Sequence, residues 1–259
     1  MSQNAGYKVK VIRPLPVHPV IVICLPGDGY VGKFCGESLI TSTSAEIAVM
    51  FNPYNFPPHV TIDKGTLILH GYQFYVGSTN CQNLVIVTTD LRITESDTAT
   101  KVCRQLARYV KELAPREVLI LDAIIPAKKY RGNNVTQMRV DAPSDEFWDG
   151  KSMVPFQVKT DKDKYFLYLA VAFKREQISA RGIICETSGK DIDPEGAKKL
   201  LNVLIGHPAF PVQFDYQRME AIAAEIHKDL EKLTEKEREK NNKENSQKKQ
   251  QNRDLHYIQ

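Results

Sequence analysis

The chain has 259 residues, 42% hydrophobic and 25% charged, which is enough apolar side chain for a sizeable core in one large domain with an appendage. Lys+Arg 35 against Asp+Glu 31 leaves a net charge of +4, too small to mark a nucleic-acid partner. The longest apolar run, Val20 to Leu25, is far short of the ~20 residues needed to cross a bilayer, and Met1 to Tyr7 lacks a basic segment feeding an apolar one, so a cytoplasmic protein with no membrane partner is expected.

Taken in chain order, an N-terminal arm, residues 1–16, precedes a β-branched strand, Val20-Ile21-Val22-Ile23-Cys24-Leu25. It runs into Pro26-Gly27-Asp28-Gly29-Tyr30-Val31-Gly32, a G-x-G-x-x-G at the opening of a helical pattern. In a dinucleotide-binding loop such glycines let backbone N–H groups reach a pyrophosphate, and an acidic residue ending the second strand holds the ribose. That partner is missing: the next strand-like run, Ala45 to Phe51, ends in Asn52-Pro53-Tyr54-Asn55, and Glu46 lies at its wrong end. Tyr30 is bulky, and Asp28 would face a phosphate with a negative charge. Gly27, Gly29 and Gly32 are therefore read as a structural strand-to-helix turn, with Gly32 allowing close helix–sheet packing, and no cofactor is expected.

After Pro57-Pro58, the runs His59–Asp63, Thr66–His70 and Gln73–Val76, separated by Lys64-Gly65 and Gly71-Tyr72, predict an antiparallel meander of three short strands. Asn83–Thr89 reads as a buried strand. Thr94-Glu95-Ser96-Asp97 offers capping side chains to a helix with Val102, Leu106, Val110 and Leu113 at helical spacing, ended by Pro115. Glu117–Ile125 is a second buried strand, and strand–helix–strand in this order implies a parallel crossover. Residues 126–164 form a polar excursion with an embedded β piece, Val135–Val140, and a short basic cluster, Lys128-Lys129-Tyr130-Arg131. Within it Trp148 is read as a loop-packing residue, with an interface anchor as the alternative. Tyr165–Phe173 fits a helix or a strand equally well, and Gly182–Thr187 reads as a strand. Asp193-Pro194-Glu195 has the chemistry of a helix start, with Asp193 as N-cap and Pro194 in the first turn. Gly206-His207-Pro208 stops that helix, and a final one begins near Asp215 with Met219, Ile222, Ile226, Leu230 and Leu233 along one side.

Candidates for metal or catalytic chemistry are sparse. Cys24, Cys35, Cys81, Cys103 and Cys185 include no C-x-x-C pair and read as small buried hydrophobes, and the histidines never approach ligand spacing, so no metal is expected. Gly36-Glu37-Ser38-Leu39-Ile40 lacks the second glycine of a nucleophile elbow. Asp90 and Asp122 near predicted strand ends, with His59 or His70 as base, form no recognisable constellation, and strand-end aspartates are read as cap or turn residues.

The combination of Leu25-Pro26-Gly27-Asp28-Gly29-Tyr30-Val31-Gly32, the Pro-rich strand region, and Glu186-Thr187-Ser188-Gly189-Lys190-Asp191-Ile192-Asp193-Pro194-Glu195-Gly196-Ala197 resembles the PAC2 family of proteasome assembly chaperones and their archaeal and bacterial relatives. The resemblance runs collinearly over about residues 17 to 233. It implies a three-layer α/β/α fold with a mixed sheet, related to the nucleoside phosphorylase and hydrolase architecture. It also implies homo-oligomerisation, proteasome α subunits as partners, and chaperoning without catalysis. Many relatives have a glycine-rich helix start where this chain has Ala172-Phe173-Lys174-Arg175-Glu176.

Residues 234–259 close the chain. From Thr234 to Arg253 the sequence is Lys, Glu, Asn and Gln with hardly an apolar residue, so a disordered or frayed helical tail is expected, and Leu255-His256-Tyr257-Ile258-Gln259 then restores hydrophobicity. As a coil, such a tether would reach on the order of 25–30 Å. Family members that act on proteasome α subunits end in a hydrophobic–Tyr–any motif, which this tip matches one residue out of register. The resemblance thus assigns partner binding to Leu255, Tyr257, Ile258 and Gln259, and the chain is read as a non-enzymatic proteasome assembly chaperone or proteasome-binding factor. A phosphorylase-like or nucleotide-binding enzyme using the G-x-G-x-x-G loop is the alternative.

Overall fold

The computed structural model describes residues 6–57, 60–69, 71–77, 83–126, 130–151, 153–156, 164–189, 192–210, 213–217, 219–224 and 228. The fold is a three-layer α/β/α sandwich around a mixed nine-stranded sheet, in the order β1-β3-β6-β7-β2-β8-β11-β9-β10. The strands are β1 Tyr7–Val11, β2 Val20–Cys24, β3 Glu46–Pro53, β6 Tyr72–Val76, β7 Leu84–Thr88, β8 Glu117–Ile124, β9 Val135–Val140, β10 Val154–Pro155 and β11 Ala180–Glu186. The parallel heart is β7, β2, β8 and β11, flanked by antiparallel strands on both sides. All five residues of β2 are buried, which is why its sequence is apolar without alternation: helices cover both faces.

One face carries α1 Val31–Ser42 and α5 Pro194–Leu204, which pack against each other and over β2, β7, β8 and β11. The other carries α2 Ser96–Glu112 and α4 Tyr165–Glu176. The run that fitted helix or strand is α4, because its buried Phe166, Leu169, Ala170 and Phe173 recur at helical spacing and face the core. Ala172–Glu176, aligned above with a helix start, instead forms the last turns of α4. The N-cap of α2 is Glu95, which makes no side-chain cap bond. The hydroxyl of Thr98 donates to its carboxylate instead.

The expected three-strand meander divides. Strand β6 enters the main sheet between β3 and β7, so both its hydrogen-bonding edges are taken, and among the described residues β4 Val60–Asp63 pairs with β5 Thr66–Leu69 as a separate hairpin. Its turn, Lys64-Gly65, has φ of 47° and 79°, the left-handed pair that matches hairpin twist. The polar excursion holds β9, the short helix α3 Glu146–Asp149 and β10. Residues 7–11 of the N-terminal arm form the edge strand β1, whose exposed Lys8 and Lys10 discourage edge-to-edge pairing. Within the first compact unit, residues 1–219, Ser42 Oγ accepts from Asp215 N and Ser38 Oγ donates to Asp215 O, tying the start of the last helical segment to α1. No described helix is long and apolar enough to cross a membrane. Residues 225–227 and 229–259, including Ile226, Leu230, Leu233 and the whole charged tail, lie outside the described residues.

Candidate functional site

Because β2, β7, β8 and β11 run parallel, their carboxyl ends reach one edge of the sheet, the edge where α/β folds place functional groups. The loop after β2 turns there through a single 3-10 turn, Asp28–Tyr30, into α1. Gly27 passes directly over β8: a Cβ on it would lie 1.8 Å from Asp122 Oδ1. Gly29 has φ of 63°, and Tyr30 follows in the same left-handed region at 55°. Gly32 brings α1 against the sheet so closely that a Cβ would meet Leu25 O at 2.4 Å and Leu121 O at 2.5 Å. The loop is thus shaped by backbone and carboxylate of the chain itself.

Asp28 is buried, 5% exposed, and accepts from Arg92 Nη2 at 2.8 Å, from Ile125 N at 3.2 Å, and from Lys164 Nζ. Burial alone would raise its pKa, but Lys164 and Arg92 hold the carboxyl below its ordinary value. In a phosphate-binding loop, those two cations and the N–H would hold the ligand. Here the chain's own carboxylate takes the ligand's place. The second strand of a dinucleotide unit is also absent from its position: β3 lies three places from β2, and β7 is its neighbour on that side.

Asp122 is 2% exposed and points from β8 toward Gly27, so it is a core carboxyl and not the cap or turn residue expected from sequence. Burial pushes its pKa up to about 8; the N–H of Ala123, donating to Oδ1 at 2.8 Å, opposes the rise, and the charge of Asp28 adds to it. Asp90 lies beyond β7 and pairs with Lys33 at 2.7 Å. His59, His70, Cys81, Lys128 and Lys129 lie outside the described residues, as do Leu255, Tyr257, Ile258 and Gln259. Cys24, Cys35, Cys103 and Cys185 are buried free thiols, and no group of three His, Cys, Asp or Glu among the described residues has the arrangement of a metal site.

The second motif folds onto the first. Asp193 N donates to Gly29 O at 2.8 Å; its Oδ1 caps α5 by accepting from Gly196 N at 2.8 Å, and its Oδ2 accepts from Thr187 Oγ1 at 2.7 Å and Asn133 Nδ2 at 2.6 Å. The two stretches that carry the sequence resemblance are therefore one interlocked structure. Sequence reasoning missed Arg92 and Lys164. A loop aspartate destined for burial requires cationic partners, yet these lie 64 and 136 residues away and leave no local signal.

At the opposite end of the sheet is a cavity of about 500 Å³ beside Glu117, Phe147, Arg181 and His207. Its polar wall is paired internally. Glu117 accepts from Trp148 Nε1 at 2.7 Å and from His207 Nε2 at 3.1 Å, and lies 3.9 Å from Arg181 Nε. Trp148 is 1% exposed, a packed residue and not an exposed anchor.

The family model described as "PAC2 family" matches residues 22–234, from β2 through both interlocked motifs. The chain belongs to the PAC2 family. Among solved structures, this PAC2 protein is similar to Pyrococcus furiosus PbaB, an archaeal proteasome activator, at 20% identity and a TM-score of 0.71, covering 89% of this chain and 99% of that one. It is also similar to P. furiosus PbaA, an archaeal homolog of proteasome-assembly chaperone, at 18% identity and a TM-score of 0.66, covering 92% and 97%. A protein of unknown function from Thermoplasma acidophilum shares the fold at 15% identity and a TM-score of 0.66, covering 87% and 92%. At these identities the likeness is one of fold. No curated protein matches the chain in sequence.

Proposed function

We propose that this PAC2 protein is a non-enzymatic proteasome assembly chaperone or proteasome-binding factor, homo-oligomeric and cytoplasmic. It engages proteasome α subunits through a surface of the α/β domain and through the tip Leu255, Tyr257, Ile258 and Gln259. The family match over residues 22–234 carries the reading. The similarity in fold to an archaeal proteasome activator and to a homolog of proteasome-assembly chaperone supports it. So does the loop's own chemistry: Asp28 takes the position of a nucleotide phosphate, accepting from Arg92, Lys164 and Ile125 N.

The test is co-purification with proteasome α subunits, comparing the full chain with one ending at Asp254. The full chain is expected to retain the subunits and the shortened chain to lose them. Binding by neither form overturns the chaperone reading, whereas equal binding by both overturns only the role of the tip. Thermal-shift measurements with nucleosides and dinucleotides address the enzyme alternative, for which a flat response is expected.

A further inference from the structure

Between the loop after β2 and the end of β8 lies a small crevice of about 70 Å³, bordered by Asp28, Arg92, Thr94, Asp122, Lys164 and Tyr165. By the measure in which one water needs ~10–15 Å³, it holds a few waters or one small solute. Two of its walls are carboxyls at least nine-tenths buried, and they differ in how well they are partnered. Asp28 is saturated by Arg92, Lys164 and Ile125 N. Asp122 lines the crevice and receives, among the described residues, one hydrogen bond, from Ala123 N to Oδ1, which leaves its second oxygen for a ligand.

From this geometry we propose that the crevice binds the anion of a small free carboxylic acid, held by the Arg92 guanidinium and by the second oxygen of Asp122 acting as a hydrogen-bond donor. Charge and size select this class. Among the charged residues lining the crevice, Arg92 and Lys164 are positive, Asp28 is negative, and Asp122 titrates at about 8 and is mostly neutral at pH 7. One positive charge is left over, which a monoanion balances. Arg92 spends one nitrogen on Asp28, and its side chain is 49% exposed, so further donors of its fork are open to a carboxylate. A carboxylic acid kept neutral by burial is a strong donor to such an anion, because a buried O–H without an acceptor is unfavourable. The groups facing Asp122 are Asp28 on the loop after β2, Arg92 after β7, Lys164 before α4, and the buried thiols of Cys24 and Cys35, both pushed up by burial. The site is independent of the proteasome reading and survives or fails without it.

The experiment is calorimetric titration of the full-length protein with acetate, using acetamide and chloride at matched ionic strength as controls, at pH 6.5 and 9.5. Saturable acetate binding is expected at pH 6.5, with no response to either control. Above the Asp122 pKa only the protonated fraction remains competent, so affinity should fall on the order of tenfold or more by pH 9.5. Asp122→Asn supplies an N–H donor at every pH, and should bind acetate at both pH values with nearly equal affinity. Arg92→Gln, with circular dichroism to check that the fold is kept, should weaken binding at least tenfold. Absence of saturable binding in the wild type overturns the proposal. So does equal response to acetamide, an affinity unchanged at pH 9.5, or a pH dependence that persists in Asp122→Asn.

Discussion

Asp28 and Asp122 sit on adjoining elements, and their surroundings drive them to opposite protonation states. For Asp122 the folded pKa of about 8 lies above the ~4 of an unfolded aspartate, so the folded chain keeps a proton that the unfolded chain has lost. Its contribution to stability therefore falls as pH rises from about 4 to about 8, by ~1.4 kcal/mol per unit. Urea unfolding at pH 5 and pH 8 should show this slope in the wild type and its loss in Asp122→Asn. Asp28 acts in the other direction: its pKa is lowered, so its stabilisation is present above pH ~4 and disappears as pH drops through the folded value. Replacing it with Asn at neutral pH strands Arg92 and Lys164. Because Arg92 is half exposed, the expected loss is ~2–3 kcal/mol, below that of a fully buried pair, and it should be partly restored by added sulfate. Gly27 answers to Asp122 directly. A Cβ 1.8 Å from Oδ1 cannot be accommodated, so Gly27→Ala should cost ~3 kcal/mol or more, and Asp122→Ala in the same chain should recover part of that loss. Additive losses in the double variant would mean that the two residues are not in contact.

At the scale of elements, most helices and central strands were legible because their signals are local. Val20–Cys24 and Glu117–Ile124 are apolar throughout because helices cover both faces, and Asp193-Pro194 carries its own cap chemistry. Tyr165–Glu176 was ambiguous since a nearly continuous apolar run has no visible period until one face is known to be buried. The hairpin β4–β5 stands apart from the meander that its sequence predicts, because turn chemistry reveals a hairpin but not which sheet it joins. The tie between the two motifs is an element-scale device: Asp193 caps α5 and receives Thr187 and Asn133 while its N–H holds Gly29 O. Asp193→Ala should therefore cost ~2–3 kcal/mol in chemical denaturation, above the ~1 kcal/mol of a cap alone. A loss confined to ~1 kcal/mol would show that the contact with the first motif adds nothing.

For the whole molecule, the hydrophobic core cluster among the described residues extends from Ile21 to Ile184. A chain ending at Asp254 should melt within ~2 °C of the full chain while losing proteasome α subunits in co-purification, and a large drop in melting temperature would reassign the tip to stability. Sequence alone determined the α/β class, most of the central strands and helices, and the PAC2 resemblance through two motifs about 160 residues apart, because periodicity, caps and turns are written in neighbouring residues. Only the tertiary structure decided that these motifs interlock, that the anion position of the glycine loop is filled by Asp28 with Arg92 and Lys164, and that Asp122 is buried beneath Gly27. A side chain's partners and its protonation depend on what packs against it from distant parts of the chain, and no local pattern records that.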